Sequence, residues 1–129
     1  MSTQEIADEG VLSMTHEMQL QPEPFELIKN GTKTYELRLY DEKRRLIKGG
    51  DKIIFTDTCS GERMEVLVLE LCIFDSFKTL YEELPLSECG YTAENIDTAS
   101  PDDMDLYYSK EKQSRYGVVG IKISRCNQP

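Results

Sequence analysis

One histidine, His16, and four scattered cysteines, Cys59, Cys72, Cys89 and Cys126, are all the imidazole and thiol groups in this chain. No two cysteines stand at C-x-x-C spacing, which argues against a structural zinc site. A Cys–His nucleophile pair would have to use His16, and nothing in the spacing recommends it. The thiols are expected to be reduced and mostly buried, as in a cytosolic protein, with Cys89 in a loop that leaves it open to exposure. No apolar run approaches the roughly 20 residues that span a bilayer. Residues 1–10 are polar and acidic and lack the basic and apolar regions of a secretory signal, so the cytoplasm is the expected location. Without secretion, the sequon Asn30-Gly31-Thr32 is only a turn. No cofactor and no membrane partner are expected.

The 129 residues fit one domain with one core, and 39% apolar against 30% charged composition fits a folded, soluble chain. A net charge of −9 repels nucleic acid at long range. The charge is uneven, however. Between Lys29 and Lys52 lie eight basic residues (Lys29, Lys33, Arg38, Lys43, Arg44, Arg45, Lys48, Lys52) against four acidic ones (Glu36, Asp41, Glu42, Asp51). This basic island on an acidic chain fits either a phosphate-contacting rim, through Lys43, Arg44, Arg45 and Lys48, or a solvated charged loop.

Residues 1–13 read as a flexible extension, 14–125 as the domain and 126–129 as a tail. Met14 to Leu20 alternates as a strand, with Met14, His16, Met18 and Leu20 on one face. His16 there reads as a core or edge residue with its hydrogen bonds satisfied. Pro22 and Pro24 suit a helix start, Phe25, Leu27 and Ile28 give that helix an apolar side, and Gly31 closes it. Thr34 to Leu39 is a second strand, and 41–47 a charged connector with one helical turn. Both glycines of Lys48-Gly49-Gly50-Asp51 admit positive φ. Lys52–Thr56 and Arg63–Phe74 read as strands around a hairpin loop, Thr58–Gly61. The apolar run Val66–Leu69 must be buried on both faces or bend through a barrel.

Ser76 caps a helix to about Glu83, and Pro85 ends it. Leu86 to Ala99 is a loop-rich acidic stretch. Ser100-Pro101-Asp102-Asp103 opens a third helix running through Met104, Leu106, Tyr107 and Tyr108 to about Glu111. Tyr116 to Ile123 is the last strand, whose two glycines signal a bulge, a corner or a close backbone approach. About five strands and two or three short helices, without βαβ alternation, predict an α+β fold: a small, partly closed mixed β-barrel with helices at its ends.

The most informative stretch is Gly31-Thr32-Lys33-Thr34-Tyr35-Glu36-Leu37-Arg38. On a strand, Tyr35, Leu37 and Leu39 share one face and Glu36 and Arg38 the other. The charged face, with Lys33 at the preceding turn, fits a polar recognition pocket: Glu36 accepting from an exocyclic amine, Arg38 binding phosphate or carbonyl, or orienting Glu36. It equally fits a surface ion-pair set worth about 0–1 kcal/mol. Tyr107, Tyr108 and Tyr116 fit either base stacking or partial burial in the core.

These residues resemble the G-x-K-x-x-E-x-R signature of the ASCH domain family. The resemblance continues through Lys48–Phe55, Ser76-Phe77, Tyr108-Ser109 and Tyr116–Ile121, covering Met14 to Ser124. It implies a PUA-like β-barrel with a cleft lined by Gly31, Lys33, Thr34, Glu36 and Arg38. It also implies binding of RNA or a small nucleotide or nucleoside. Some ASCH proteins are enzymes: one branch removes the acetyl group of 4-acetylcytidine, and another cleaves RNA. The amidohydrolase set is a lysine, a threonine three residues later and a distal glutamate. Here the lysine matches Lys33, Glu36 stands where the threonine nucleophile should be, and the glutamate falls near Glu88. A hydrolase would therefore rely on Lys33 and Glu36 as an acid–base pair with Glu88. A third alternative is an adaptor that meets a protein partner through its acidic half, Asp75 to Glu111.

Overall fold

The computed structural model describes residues 13–126. Except for Ser13 and Cys126, the expected extension and tail lie outside the described residues. Strand β1 (Thr15–Leu20) leads into helix α1 (Pro22–Lys29), then β2 (Tyr35–Leu39), β3 (Lys52–Asp57) and β4 (Arg63–Phe74). Helix α2 (Phe77–Glu83), three 3-10 turns (Leu86–Glu88, Ile96–Thr98, Pro101–Leu106), α3 (Lys110–Tyr116) and β5 (Val118–Arg125) follow. The five strands form one sheet in the order β1-β3-β4-β5-β2, with β1 parallel to β3 and every other pair antiparallel. The sheet is mixed and curls into a half-barrel, the α+β architecture expected of a PUA-like fold.

Local chemistry sets the boundaries. Pro22 occupies the first turn of α1, where its missing donor is harmless. Asn30 and Gly31 close α1, with Gly31 at φ 87. The hairpin between β3 and β4 is held by Asp57, whose carboxylate accepts from the amides of Cys59 (2.8 Å) and Ser60 (3.2 Å). Burial follows the strand period. Phe25 and Ile28 of α1 pack with Ile53, Phe55, Val66, Val68, Ile121 and Ile123 in one core. Tyr35, Leu37 and Leu39 of β2 pack with Phe77, Leu80 and Tyr81 of α2 in a second. Each large apolar side chain buried this way stabilises the fold by roughly 1.5–3 kcal/mol.

One expectation is decided between its two alternatives, and two others are corrected. The run Val66–Leu69 is not covered on both faces. The register of β4 on β5 shifts between Val68 and Glu70, and Leu69 lies 48% exposed at that bulge. The extra residue lets the strand bend, the barrel alternative. The helix expected from Ser100 to Glu111 is two pieces. Ser100 and Asp103 form a reciprocal capping box on Pro101–Leu106, and Ser109 caps α3 by accepting from the Lys112 amide at 3.2 Å. The last strand begins at Val118, because Gly117, at φ 73, ends α3 instead. Both glycines mark close approaches: a Cβ at Gly117 would lie 3.1 Å from the Phe74 carbonyl oxygen, and one at Gly120 would lie 2.5 Å from Leu84 Cδ1.

Candidate functional site

β1 and β2 are the two edges of the curled sheet, and Arg38 reaches across the seam between them. Its Nη2 donates to the Gln19 carbonyl of β1 at 2.9 Å, and its Nε donates to Glu36 Oε2 at 2.6 Å. Lys33 Nζ lies 3.2 Å from the other oxygen, Glu36 Oε1. The Lys33, Glu36 and Arg38 side chains are only 10%, 5% and 14% exposed. The surface ion-pair alternative is thereby removed. Burial pushes the Glu36 carboxyl up, but the Lys33 and Arg38 charges and their hydrogen bonds outweigh it and hold it below the usual carboxylate range. On Arg38, burial opposes the charge, and Glu36 more than restores it.

These three groups sit in a cleft of about 700 Å³ that runs along the seam. One wall is Gln19, Leu20 and Gln21 with Pro24 and Leu27 of α1. The other comes from the acidic stretch: Cys89, Gly90, Tyr91, Asp103, Met104 and Tyr108 line it. That wall has little regular structure and is tied by side chains instead. Tyr81 and Tyr91 share a hydroxyl hydrogen bond of 2.7 Å, and Tyr91 donates to Asp103 Oδ2 at 2.6 Å. Tyr108 stacks on Phe77 with ring centroids 6.2 Å apart. Tyr107, 69% exposed, stands at the mouth. Gly90, at φ 112, lets the backbone lie against the Lys33 side chain: a Cβ there would meet Nζ at 3.4 Å.

The structure thus brings Lys33, Glu36 and Arg38 together and separates the other candidates. Glu88 does not line the cleft. Its carboxylate accepts from Thr34 Oγ1 at 2.7 Å, and its carbonyl accepts from the Thr34 amide at 2.9 Å. Gly31 and Thr34 line a second hollow instead. None of Lys43, Arg44, Arg45 and Lys48 lines the cleft. Arg44 pairs with Asp41, and Arg45 lies over the Tyr40 ring and donates to the Tyr116 carbonyl at 3.1 Å. Tyr107 and Tyr108 reach the cleft and Tyr116 does not. Cys89 is buried rather than exposed, and burial pushes its thiol up to about 12, which leaves it protonated at neutral pH. His16 Nε2 meets Asp51 Oδ2 at 2.9 Å, so it joins a structural knot. There Asp51 also accepts from the amides of Met14 and Lys48, each at 3.0 Å. No group of three or more metal-ligating side chains stands together among the described residues. Sequence reasoning missed Gln19, Tyr81, Tyr91 and Asp103, which no spacing connects with the signature.

Comparison with known proteins agrees with this geometry. The ASCH domain model matches residues 18–126. The crystal structure of the hypothetical protein PH0355 is 38% identical with TM-score 0.71, covering 88% of this chain and all of that one. The solution structure of PF0455 from Pyrococcus furiosus is 36% identical with TM-score 0.70, covering 89% of this chain and all of that one. A crystal structure of a ZmASCH mutant from Zymomonas mobilis shares the fold at 17% identity and TM-score 0.62, over 89% of this chain and 71% of that one. No curated protein matches the chain. The family match spans the signature and nearly all of the half-barrel, and the chain belongs to the ASCH domain family.

Proposed function

We propose that this chain binds a nucleotide or a short single-stranded RNA in the seam cleft. The observation that carries the proposal is a buried, ionised carboxylate with a cation on either side, facing a wall of tyrosines. A carboxylate has about four acceptor sites, and Lys33 and Arg38 use two of them, so Glu36 retains capacity for an exocyclic amine. Lys33 Nζ has Glu36 as its ion-pair partner among the described residues, leaving donors for a ring nitrogen, a carbonyl or a phosphate. The exposed Tyr107 ring offers a stacking face. The cleft volume suits a small ligand. The net charge of −9 disfavours a long polyanion, which favours short ligands and weak binding.

The same geometry weakens the hydrolase alternative. A carboxylate held below its usual range by two cations is a poor proton acceptor at neutral pH. Thr34, next to Lys33 in the sequence, donates its hydroxyl hydrogen bond to Glu88 outside the cleft. No observation favours the adaptor alternative, because much of the acidic stretch is used in building the cleft wall.

The test is a titration of nucleosides and short RNAs, followed by NMR at two salt concentrations. Glu36→Gln is expected to weaken binding about tenfold or more, the effect of losing one hydrogen bond to a charged group. Arg38→Ala acts in the same direction and also opens the seam. Folded variants that titrate like the parent chain would refute the proposal, and hydrolysis of an acylated nucleoside that stops on Lys33→Ala would replace it.

A further inference from the structure

A second hollow of about 340 Å³ lies behind the signature turn, and Lys33 lines both it and the cleft. Its other polar walls are Lys29, Asn30, Thr34, Ser124 and Arg125. Three cations and no carboxylate line this space, on a chain whose net charge is −9. Two of the cations are already paired, Lys29 with Glu62 at 2.8 Å and Lys33 with Glu36 at 3.2 Å. Arg125 has no ion-pair partner among the described residues. Its Nη1 donates to the Lys29 carbonyl at 3.0 Å, while its Nε is buried with no hydrogen-bond partner among those residues. A buried donor left unmatched is rare and calls for an acceptor.

The hollow sits at the carbonyl end of α1, which ordinarily repels anions. Here the last four carbonyls are all engaged. Glu26, Leu27 and Ile28 accept from the amides of Asn30 (2.9 Å), Lys33 (2.9 Å) and Gly31 (3.1 Å), and Lys29 accepts from Arg125. The negative end of the helix is therefore quenched, and the side-chain cations decide the sign of the potential.

We infer that this hollow is a phosphate subsite of the cleft, so that the ligand is a phosphorylated nucleotide lying across Lys33, with its base against Glu36 and its phosphate toward Arg125. The inference rests on the cleft proposal above and deepens it by assigning the ligand's phosphate to this hollow. Lys33 is the hinge of the arrangement, because its side chain is the one cation shared by the two spaces.

The experiment titrates the full chain with inorganic phosphate, the ribonucleosides and their 5′-monophosphates at constant ionic strength, following backbone amides by NMR. Monophosphates are expected to shift the amides of residues 30–34 and 124–125 and to bind about tenfold tighter than their nucleosides, the effect of one charge-assisted hydrogen bond. Arg125→Gln should reduce that advantage to less than about threefold and leave nucleoside affinity unchanged. Ser124→Asp should do the same while leaving the Arg125 hydrogen bond in place, so it serves if Arg125→Gln fails to fold. Monophosphates that bind no tighter than nucleosides overturn the inference while leaving the cleft proposal standing, as does an advantage that survives both variants. Inorganic phosphate that shifts 124–125 without any monophosphate advantage also overturns it, since the two spaces would then be unlinked. If nucleosides leave the cleft amides unmoved, the cleft proposal fails, and an Arg125-dependent monophosphate shift still supports the hollow as a phosphate site.

Discussion

Two clusters of opposite charge in this molecule have almost the same geometry and opposite surroundings. In the seam, Glu36 stands 3.2 Å from Lys33 and 2.6 Å from Arg38. On the outer surface, Lys110 stands 3.0 Å from Asp102 and 3.4 Å from Asp105. The seam side chains are at most 14% exposed, whereas Lys110 and Asp102 are 68% and 77% exposed. Distance alone would rank them as equals. Burial separates them, because water screens the outer cluster and is largely excluded from the inner one. The inner cluster is hard to break and its potential is directed into a cleft, and the outer one has neither property.

The sharpest way to test that contrast is to remove the shared carboxylate. Glu36→Ala leaves two cations buried without a counter-charge and is expected to destabilise the fold by about 3–5 kcal/mol in urea unfolding. Replacing Lys33, Glu36 and Arg38 together by methionine should recover most of that loss, because an apolar set needs no counter-charges. A loss under about 1 kcal/mol for Glu36→Ala would place the seam cluster in the same class as the surface one.

Acid probes the same difference without mutation. The folded-state value of Glu36 lies below the unfolded value of about 4.3, so the unfolded chain takes up the proton first. The stability from Glu36 is complete above that pH and is lost as pH falls through the folded value. Asp51 behaves alike. Its burial pushes the carboxyl up, and the His16 hydrogen bond with the Met14 and Lys48 amides pulls it further down. Stability should therefore fall steeply below about pH 4, and Glu36→Gln should flatten that slope in denaturant titrations at stepped pH. An unchanged slope would mean that Glu36 is not held ionised.

The two walls of the cleft differ in how far the sequence discloses them. The β2 wall was legible because strands have a period of two: Tyr35, Leu37 and Leu39 had to go one way, Glu36 and Arg38 the other. The boundaries of β4 and the cap at Ser76 were legible for similar local reasons. The opposite wall was not, because 86–108 has no long period to detect. It is held by a chain of hydroxyls, Tyr81 to Tyr91 to Asp103, between residues whose spacing carries no signal. Cys89 was misjudged for the same reason, since a loop folded inward leaves no trace in composition. The seam closure by Arg38 and the Arg125 hollow are contacts of 19 and 96 residues in separation, set by topology rather than by any local pattern.

Gly90 offers a smaller and more local test of the inner cluster. It holds φ 112 while its backbone lies against Lys33. Gly90→Ala should cost about 1–3 kcal/mol from the backbone alone, read as a lower urea midpoint. Relief of that strain shifts the backbone on which Lys33 packs, so ligand titrations should weaken too, whereas Gly61→Ala in the β3–β4 hairpin, with positive φ and open space around it, should affect stability only. Equal binding by both variants would show that the Gly90 approach does not position Lys33.

The smallest expected effect belongs to the outer cluster, and it completes the comparison from the other side. Asp102→Asn keeps the shape of the side chain and the backbone cap from Ser100, and removes only the charge facing Lys110. Both partners are largely in water, so each regains hydration when the pair is lost, and the long lysine chain regains its freedom. The urea midpoint should stay within measurement error. Salt should distinguish the clusters as well. Raising ionic strength from about 0.1 M to about 1 M shortens the screening length to roughly 3 Å, which abolishes whatever the outer pair contributes and leaves the buried pair largely intact. The stability lost on Glu36→Ala should therefore be nearly the same at both salt concentrations. If it shrinks at high salt to the level of Asp102→Asn, water and ions reach the seam, and the cleft would not hold the desolvated charge on which the proposed recognition of a polar ligand depends.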